Sequence, residues 1–184
     1  MKAFTIYQPY AYAIVAGLKQ YETRPRRTNI RGRVAVHAGK RPANSGKPEE
    51  LLAREIAYGK ILEAEYPKGT GVLKKATELA YGAVIGCVDI VDCVPVEEIT
   101  DTLTERERLL GDFSPGRFAW VLKNPVQFGP FPCKGKQGWW EWPFVVMSMV
   151  GETPGKSDSL LGGGAAKIIC GMDSPAADKG GGAE

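Results

Sequence analysis

The sequence predicts an α+β fold, a small β-barrel or strongly bent sheet surrounded by short helices. Three observations carry this. Runs rich in β-branched residues outnumber helical ones and crowd the second half of the chain. The helical patterns are short and irregularly placed. The strict strand–helix alternation of a parallel doubly wound sheet is missing.

The elements follow in order. "AFTIYQ" reads as a strand ended by Pro9, and "PYAYAIVAG" as a short helix with proline at its start and Gly17 at its end. "RGRVAVHAGK" alternates cleanly, with Val34 and Val36 on one face and Arg33, Ala35 and His37 on the other. Residues 48–64 show helical periodicity through Leu51, Leu52, Ile56 and Ile61, with acids at the start. "GAVIGCVDIVDCVPV" is a long, nearly apolar strand. "VEEITDTLTERERLL" reads as a second helix stopped at Gly111, "GRFAWVLKNPVQF" as a further strand, and "WPFVVMSMV" as a last one. A domain over residues 1–150 is expected, with a helical insertion at about 48–80. The last 34 residues hold nine glycines and no aromatic ring, which predicts a flexible tail, apart from the short apolar piece "AAKIICGM".

Composition narrows the function classes. The chain has 184 residues, 43% of them hydrophobic and 24% charged, as in an ordinary globular domain. No apolar run reaches the ~20 residues that span a bilayer, and "MKAFTIYQPY" turns polar too early for a signal peptide. A cytoplasmic protein without membrane contact is expected. Cys87, Cys93, Cys133 and Cys170 form no CxxC pair, and with one histidine they match no usual zinc site, so reduced thiols and no metal are expected. No phosphate loop, GxSxG or HExxH pattern occurs, and no tightly bound cofactor is expected.

Charge is the strongest clue. Residues 1–47 hold ten Lys and Arg against one Glu, a net +9; the rest of the chain holds fourteen bases and twenty acids, a net −6. Such asymmetry points to a polyanionic partner. Arg24, Arg26, Arg27, Arg31 and Arg33 are candidate phosphate contacts, because a guanidinium matches phosphate bidentately. His37, on the alternating strand, is a candidate ligand-facing group or a structural one. In an extended segment Glu22 and Arg24 share a face, and Glu22 pairs with Arg24 or Lys19, either as a plain salt bridge or to aim a cation at phosphate or a base edge. Tyr7, Tyr10, Tyr12, Trp120, Trp139, Trp140 and Trp142 are core packing or base-stacking candidates. In an extended "GKQGWWEWP", Trp140 points opposite to Trp139.

The order of these motifs resembles the ASCH domain family, named for homology to a transcriptional coactivator. The likeness rests on "IYQPYAYAIVAGLKQYETRPRRTNIRGRVAVHAGK", with its "QP" before a helix, a GxKxxExR pattern and an "RG" turn into a strand ending "HA". It continues through "GAVIGCVDIVDC" and "FAWVLKNPVQFGPFPCKGKQGWW", over about residues 3–142. Stand-alone bacterial and phage members and the coactivator's own domain are the kinds it is most similar to. The resemblance implies a PUA-like barrel with a cleft beside the first helix, lined by the positions Gly17, Lys19, Glu22 and Arg24. It implies binding of RNA or single-stranded DNA, or of a modified nucleoside. The site then comprises Lys19, Glu22, Arg24, Arg26, Arg27, Arg31, Arg33, His37, Tyr10 and Trp140. Some small relatives are hydrolases, acting on acetylated cytidine through a lysine, a threonine and a glutamate, or on RNA. Lys19 matches that lysine, but Glu22 stands where the threonine would align. A nucleic-acid-binding module is therefore the first reading. The alternative is a small amidohydrolase or ribonuclease with Lys19 and Glu22 as catalytic residues.

Overall fold

The computed structural model describes residues 1–42, 59, 79–148 and 166–170. Met1–Trp142 forms one compact unit and Pro143–Glu184 another. The expected insertion at 48–80 lies almost wholly outside the described residues, as does most of the expected tail.

The first unit is α+β. β1 (Lys2–Gln8), β2 (Tyr21–Arg24), β3 (Gly32–Pro42), β4 (Ala83–Pro95), β5 (Phe118–Pro132) and β6 (Trp139–Glu141) form one sheet in the order β2-β5-β4-β3-β1-β6. Only β1 and β3 run parallel; the other pairs are antiparallel. The sheet curls into a half-barrel. Its edge strands do not pair, yet Trp120 of β5 and Trp139 of β6 stack with ring centroids 5.0 Å apart, and Phe4 meets both edge-on. Register shifts at Val36/His37, Val84/Gly86, Cys87/Asp89 and Ile90/Asp92 supply the extra twist that such curling needs.

The concave face buries Phe4, Ile6, Val34, Val36, Val88, Ile90 and Leu122 against α1 (Tyr10–Val15), whose residues 11–15 are all buried. The "QP" pair begins this helix. The Gln8 side-chain carbonyl accepts from Tyr12 N at 3.0 Å, and its amide donates to Ala80 O at 2.8 Å. Gly86 is where α1 lies closest to the sheet. A Cβ there would overlap the Val126 carbonyl oxygen and Val15 Cγ1. Gly86→Ala is expected to lower stability by about 1–3 kcal/mol, because backbone on one side and a β-branched residue on the other leave nothing that can yield. Urea unfolding checks this; an unchanged midpoint would mean the helix seat is loose.

The expected helix after Pro95 is broken. Val96–Glu98 and Thr100–Thr102 are 3-10 turns, Leu103 is extended, and only α2 (Glu105–Leu110) is α-helical. Thr104 explains the restart: its hydroxyl accepts from Glu107 N at 3.2 Å, as an N-cap does. In the second unit, β7 (Phe144–Ser148) pairs antiparallel with β8 (Ala166–Cys170), the strand formed within "AAKIIC". No described helix is long and apolar enough to cross a membrane.

Candidate functional site

The site starts at the end of α1. Leu18 N and Gly17 N return to the carbonyls of Ala13 and Ile14, and Gly17 has φ +76°, so the helix closes in a Schellman turn that only glycine adopts without strain. The turn sends Lys19 inward. Its side chain is 2% exposed, and Nζ donates to Leu110 O at 2.8 Å. That carbonyl is the last of α2 and has no helical donor, so the ammonium acts as its cap.

β2 then runs along β5, and alternation puts Glu22 and Arg24 on one face. Both pairings open to Glu22 in the sequence occur. Its carboxylate lies 3.7 Å from Lys19 Nζ and 2.9 Å from Arg24 Nε, the latter an ion pair off hydrogen-bond alignment. Arg24 is held from three sides: Nη2 donates to Thr5 O at 3.2 Å, and the guanidinium lies 5.5 Å from the Trp120 ring centroid. Glu107, on the inner side of α2, accepts from Gln20 N at 2.5 Å. Burial pushes the Lys19 ammonium below its usual range, against the opposing pull of Glu22 and Glu107. Burial likewise raises Glu107. One buried carboxylate thus holds two cations, Lys19 buried beside it and Arg24 partly exposed, at the bottom of a depression.

The depression is a cleft of about 610 Å³ between β1, β2 and the turn after α2. Tyr7 and Tyr10 line it from one side, Leu109 and Phe113 from the other, and Arg117 and Asp112 close the far end as an ion pair of 3.3 Å. Pro25 forms part of the lip, and Arg26 and Arg27, next along the chain, are exposed. Among the described residues neither makes an ion pair or hydrogen bond. No described group of three or more His, Cys, Asp or Glu could hold a metal.

Four of the expected site residues have partners within the fold. Arg33 sits directly opposite Asp89 in the β3–β4 register, with Nε 2.6 Å and Nη2 3.2 Å from its carboxylate. Arg31 holds Asp92 at 3.0 Å and also donates to the carbonyls of Thr28 and Ile30. These guanidiniums are committed to β4, whose acids the chain brings in from nearly sixty residues away. His37 and Trp140 lie on the face away from the main core, both buried and meeting edge-to-face at 5.6 Å, so neither offers a ring to stack a base, although His37 forms part of the wall of a cleft beside Tyr7. The Trp140 indole donates to Thr5 Oγ1 at 3.3 Å. As predicted, Trp139 points the opposite way, into the aromatic core.

His37 has a measurable consequence. Nε2 lies 3.2 Å from Cys133 O, and a carbonyl only accepts, so Nε2 carries the proton and the buried Nδ1 has no partner. Burial lowers the imidazole below 6.5. As pH falls through 6.5 the unfolded chain takes up a proton that the folded chain refuses, so stability drops, at up to about 1.4 kcal/mol per pH unit between the two values. Urea midpoints from pH 7.5 to 5.5 should fall. The dependence should vanish in His37→Gln, since the chain has no other histidine.

Arg117, Asp112 and Tyr7 line the cleft, and Glu107 lies behind it near Lys19, without having been singled out as site residues. Tyr7 alone had a signal, as an aromatic beside the basic stretch. The others reach the site only through α2 and β5, far along the chain.

The ASCH domain model matches residues 4–132. Activating signal cointegrator 1 of Mus musculus is 28% identical over 139 residues, and that of Homo sapiens 27% over 140. Each alignment takes in 74% of this chain and 21% of the relative, so the chain spans about a fifth of those proteins. Among solved structures, ASCH from Zymomonas mobilis is 16% identical, covering 71% of this chain and 72% of that one, with a TM-score of 0.39.

Proposed function

The chain belongs to the ASCH domain family, a family generally thought to bind RNA, and from that premise we propose that it is a nucleic-acid-binding module for RNA or single-stranded DNA. The observation that carries the reading is the cleft floor, Lys19 and Arg24 fixed by Glu22, with exposed Arg26 and Arg27 following Pro25 along the chain. The division of labour follows from chemistry. Exposed arginines meet phosphate and set position, while the buried, oriented groups of the floor discriminate a base or sugar edge. A modified nucleoside is accommodated on the same terms, because the floor offers both donors and an acceptor.

Anisotropy titrations with single-stranded RNA, single-stranded DNA and duplex DNA at several salt concentrations test it. Single-strand binding should weaken with salt, each neutralised phosphate adding roughly −0.7 to the log–log slope. Absence of binding to all three would overturn the reading.

One observation favours a second reading, a small amidohydrolase or ribonuclease. Lys19 is a buried amine with a lowered pKa beside a carboxylate, the state in which lysine serves as base or nucleophile. Incubation with acetylated cytidine and with labelled RNA should then give product that disappears in Lys19→Met. No product at high protein concentration would remove it for those substrates.

A further inference from the structure

A second cleft of about 580 Å³ adjoins the first, and both are lined by Thr5, Ile6, Tyr7 and Arg24. Its other walls carry Lys40, Lys134 and Lys136, and among the described residues no carboxylate lines it. Among the described residues these three ammonium groups form no ion pair. The loop bearing two of them is nevertheless fixed. Cys133 N donates to Gly82 O at 3.0 Å, Thr5 Oγ1 donates to Lys136 O at 2.9 Å, and His37 holds Cys133 O. Gly135 lies so close over the His37 ring that a Cβ would overlap it. The backbone is pinned while the lysine side chains stay exposed. A cleft lined by one sign of charge concentrates the opposite sign, and here that means an anion.

Tyr7 stands where the two clefts meet. It is 49% exposed, and its ring lies against Gly39, where a Cβ would come within 3.2 Å of Tyr7 Cδ1. An exposed aromatic ring backed by a strand is a platform on which a base can stack. A free nucleoside would fill the first cleft and leave three gathered lysines without a counter-charge. A strand would satisfy both clefts.

We propose that the two clefts form one continuous site for a single strand of at least two nucleotides. One base enters the Lys19–Glu22 cleft, the next stacks on Tyr7, and its phosphate lies among Lys40, Lys134 and Lys136. This rests on the nucleic-acid reading above and adds that the ligand is an oligonucleotide rather than a nucleoside.

Competition against a fluorescein-labelled single-stranded RNA 8-mer, with the full chain, tests it. Unlabelled dinucleotides should compete at least tenfold better than nucleoside monophosphates. Lys134→Ala with Lys136→Ala, both exposed and outside the core, should weaken 8-mer binding about tenfold and reduce the salt slope by about 0.7–1.4. Tyr7→Ala should lose about tenfold while Tyr7→Phe retains affinity. If the 8-mer binds but monophosphates compete as well as dinucleotides, or the variants bind as the parent does, the second cleft is no part of the site and the proposed function stands without it. If the parent chain binds neither this 8-mer nor its single-stranded DNA counterpart, both readings fall.

Discussion

Glu22→Gln is expected to destabilise the protein by about 3 kcal/mol, more than Lys19→Met does, although both remove one charge from the same pair. Removing one partner of a buried ion pair leaves the other uncompensated, which typically costs 3–5 kcal/mol. Lys19 is 2% exposed, and after the substitution it keeps only Leu110 O and the attraction of Glu107, which places the cost near the lower end. Lys19→Met retains the apolar stem and leaves Glu22 still paired with Arg24 at 2.9 Å, so its cost should be about 1–2 kcal/mol, mostly the lost donor to Leu110 O. pH separates the two variants further. The lysine's folded pKa lies below 10.5, so between the folded value and 10.5 the unfolded chain holds a proton that the folded chain lacks. Stability contributed by this group therefore rises with pH across that window. Losing Glu22, which raises the ammonium's pKa, extends the window to lower pH; losing Lys19 abolishes it. Urea unfolding of the parent and both variants from pH 7 to 10 reads this difference. Equal costs with parallel pH curves would mean that the Lys19 ammonium is not held below its usual range and that this pair is not desolvated.

The contrast also shows what was legible in the chain. GxKxxExR marks Lys19, Glu22 and Arg24 as a unit, and period-two alternation correctly puts Glu22 and Arg24 on one face. Which cation Glu22 would choose was not legible, because Lys19 reaches it through the Gly17 turn and not along β2. β1, β3, β4 and β5 were readable as runs rich in β-branched residues bounded by glycine or proline, whereas β2, the four residues YETR, carries no such signal. The half-barrel's closure by Trp120 on Trp139 was not, since it depends on bulges that leave no compositional trace. The segment after Pro95 misled for a related reason. Its charged, Leu-containing run has helical composition throughout, and only the Thr104 cap shows where the helix restarts. Glu107 then enters the site from α2, which places a buried carboxylate beside Lys19 that no local pattern in residues 1–47 announces.

Reversing the charge of Arg26 and Arg27 together is expected to weaken single-strand binding by on the order of 10- to 100-fold at moderate salt and to lower the salt slope by roughly 1.4. The same arithmetic applied to the sequence alone would assign Arg31 and Arg33 equal weight. The register forbids it. Arg33 faces Asp89 across β3–β4, the pair is about one-fifth exposed on each side, and Asn124 Nδ2 also donates to the same carboxylate. Burial and hydrogen bonding to Asp89 and Cys87 lock this guanidinium in place. Pulling it out to meet a phosphate would strand Asp89, so it stays. Arg33→Gln should therefore leave affinity within about twofold while lowering stability by about 1–2 kcal/mol, the loss of a charge-assisted hydrogen-bonded pair. Arg26 and Arg27 form no ion pair or hydrogen bond among the described residues, Arg27 only attracting the exposed Asp92 from a distance, so their reversal should move the urea midpoint little. Affinity and stability thus separate Arg33 from Arg26 and Arg27 in opposite directions. Anisotropy titrations and urea unfolding on the same two variants decide it: if Arg33→Gln loses binding as the Arg26/Arg27 reversal does, the strand crosses the β3–β4 face and the cleft beside α1 is not where it lies.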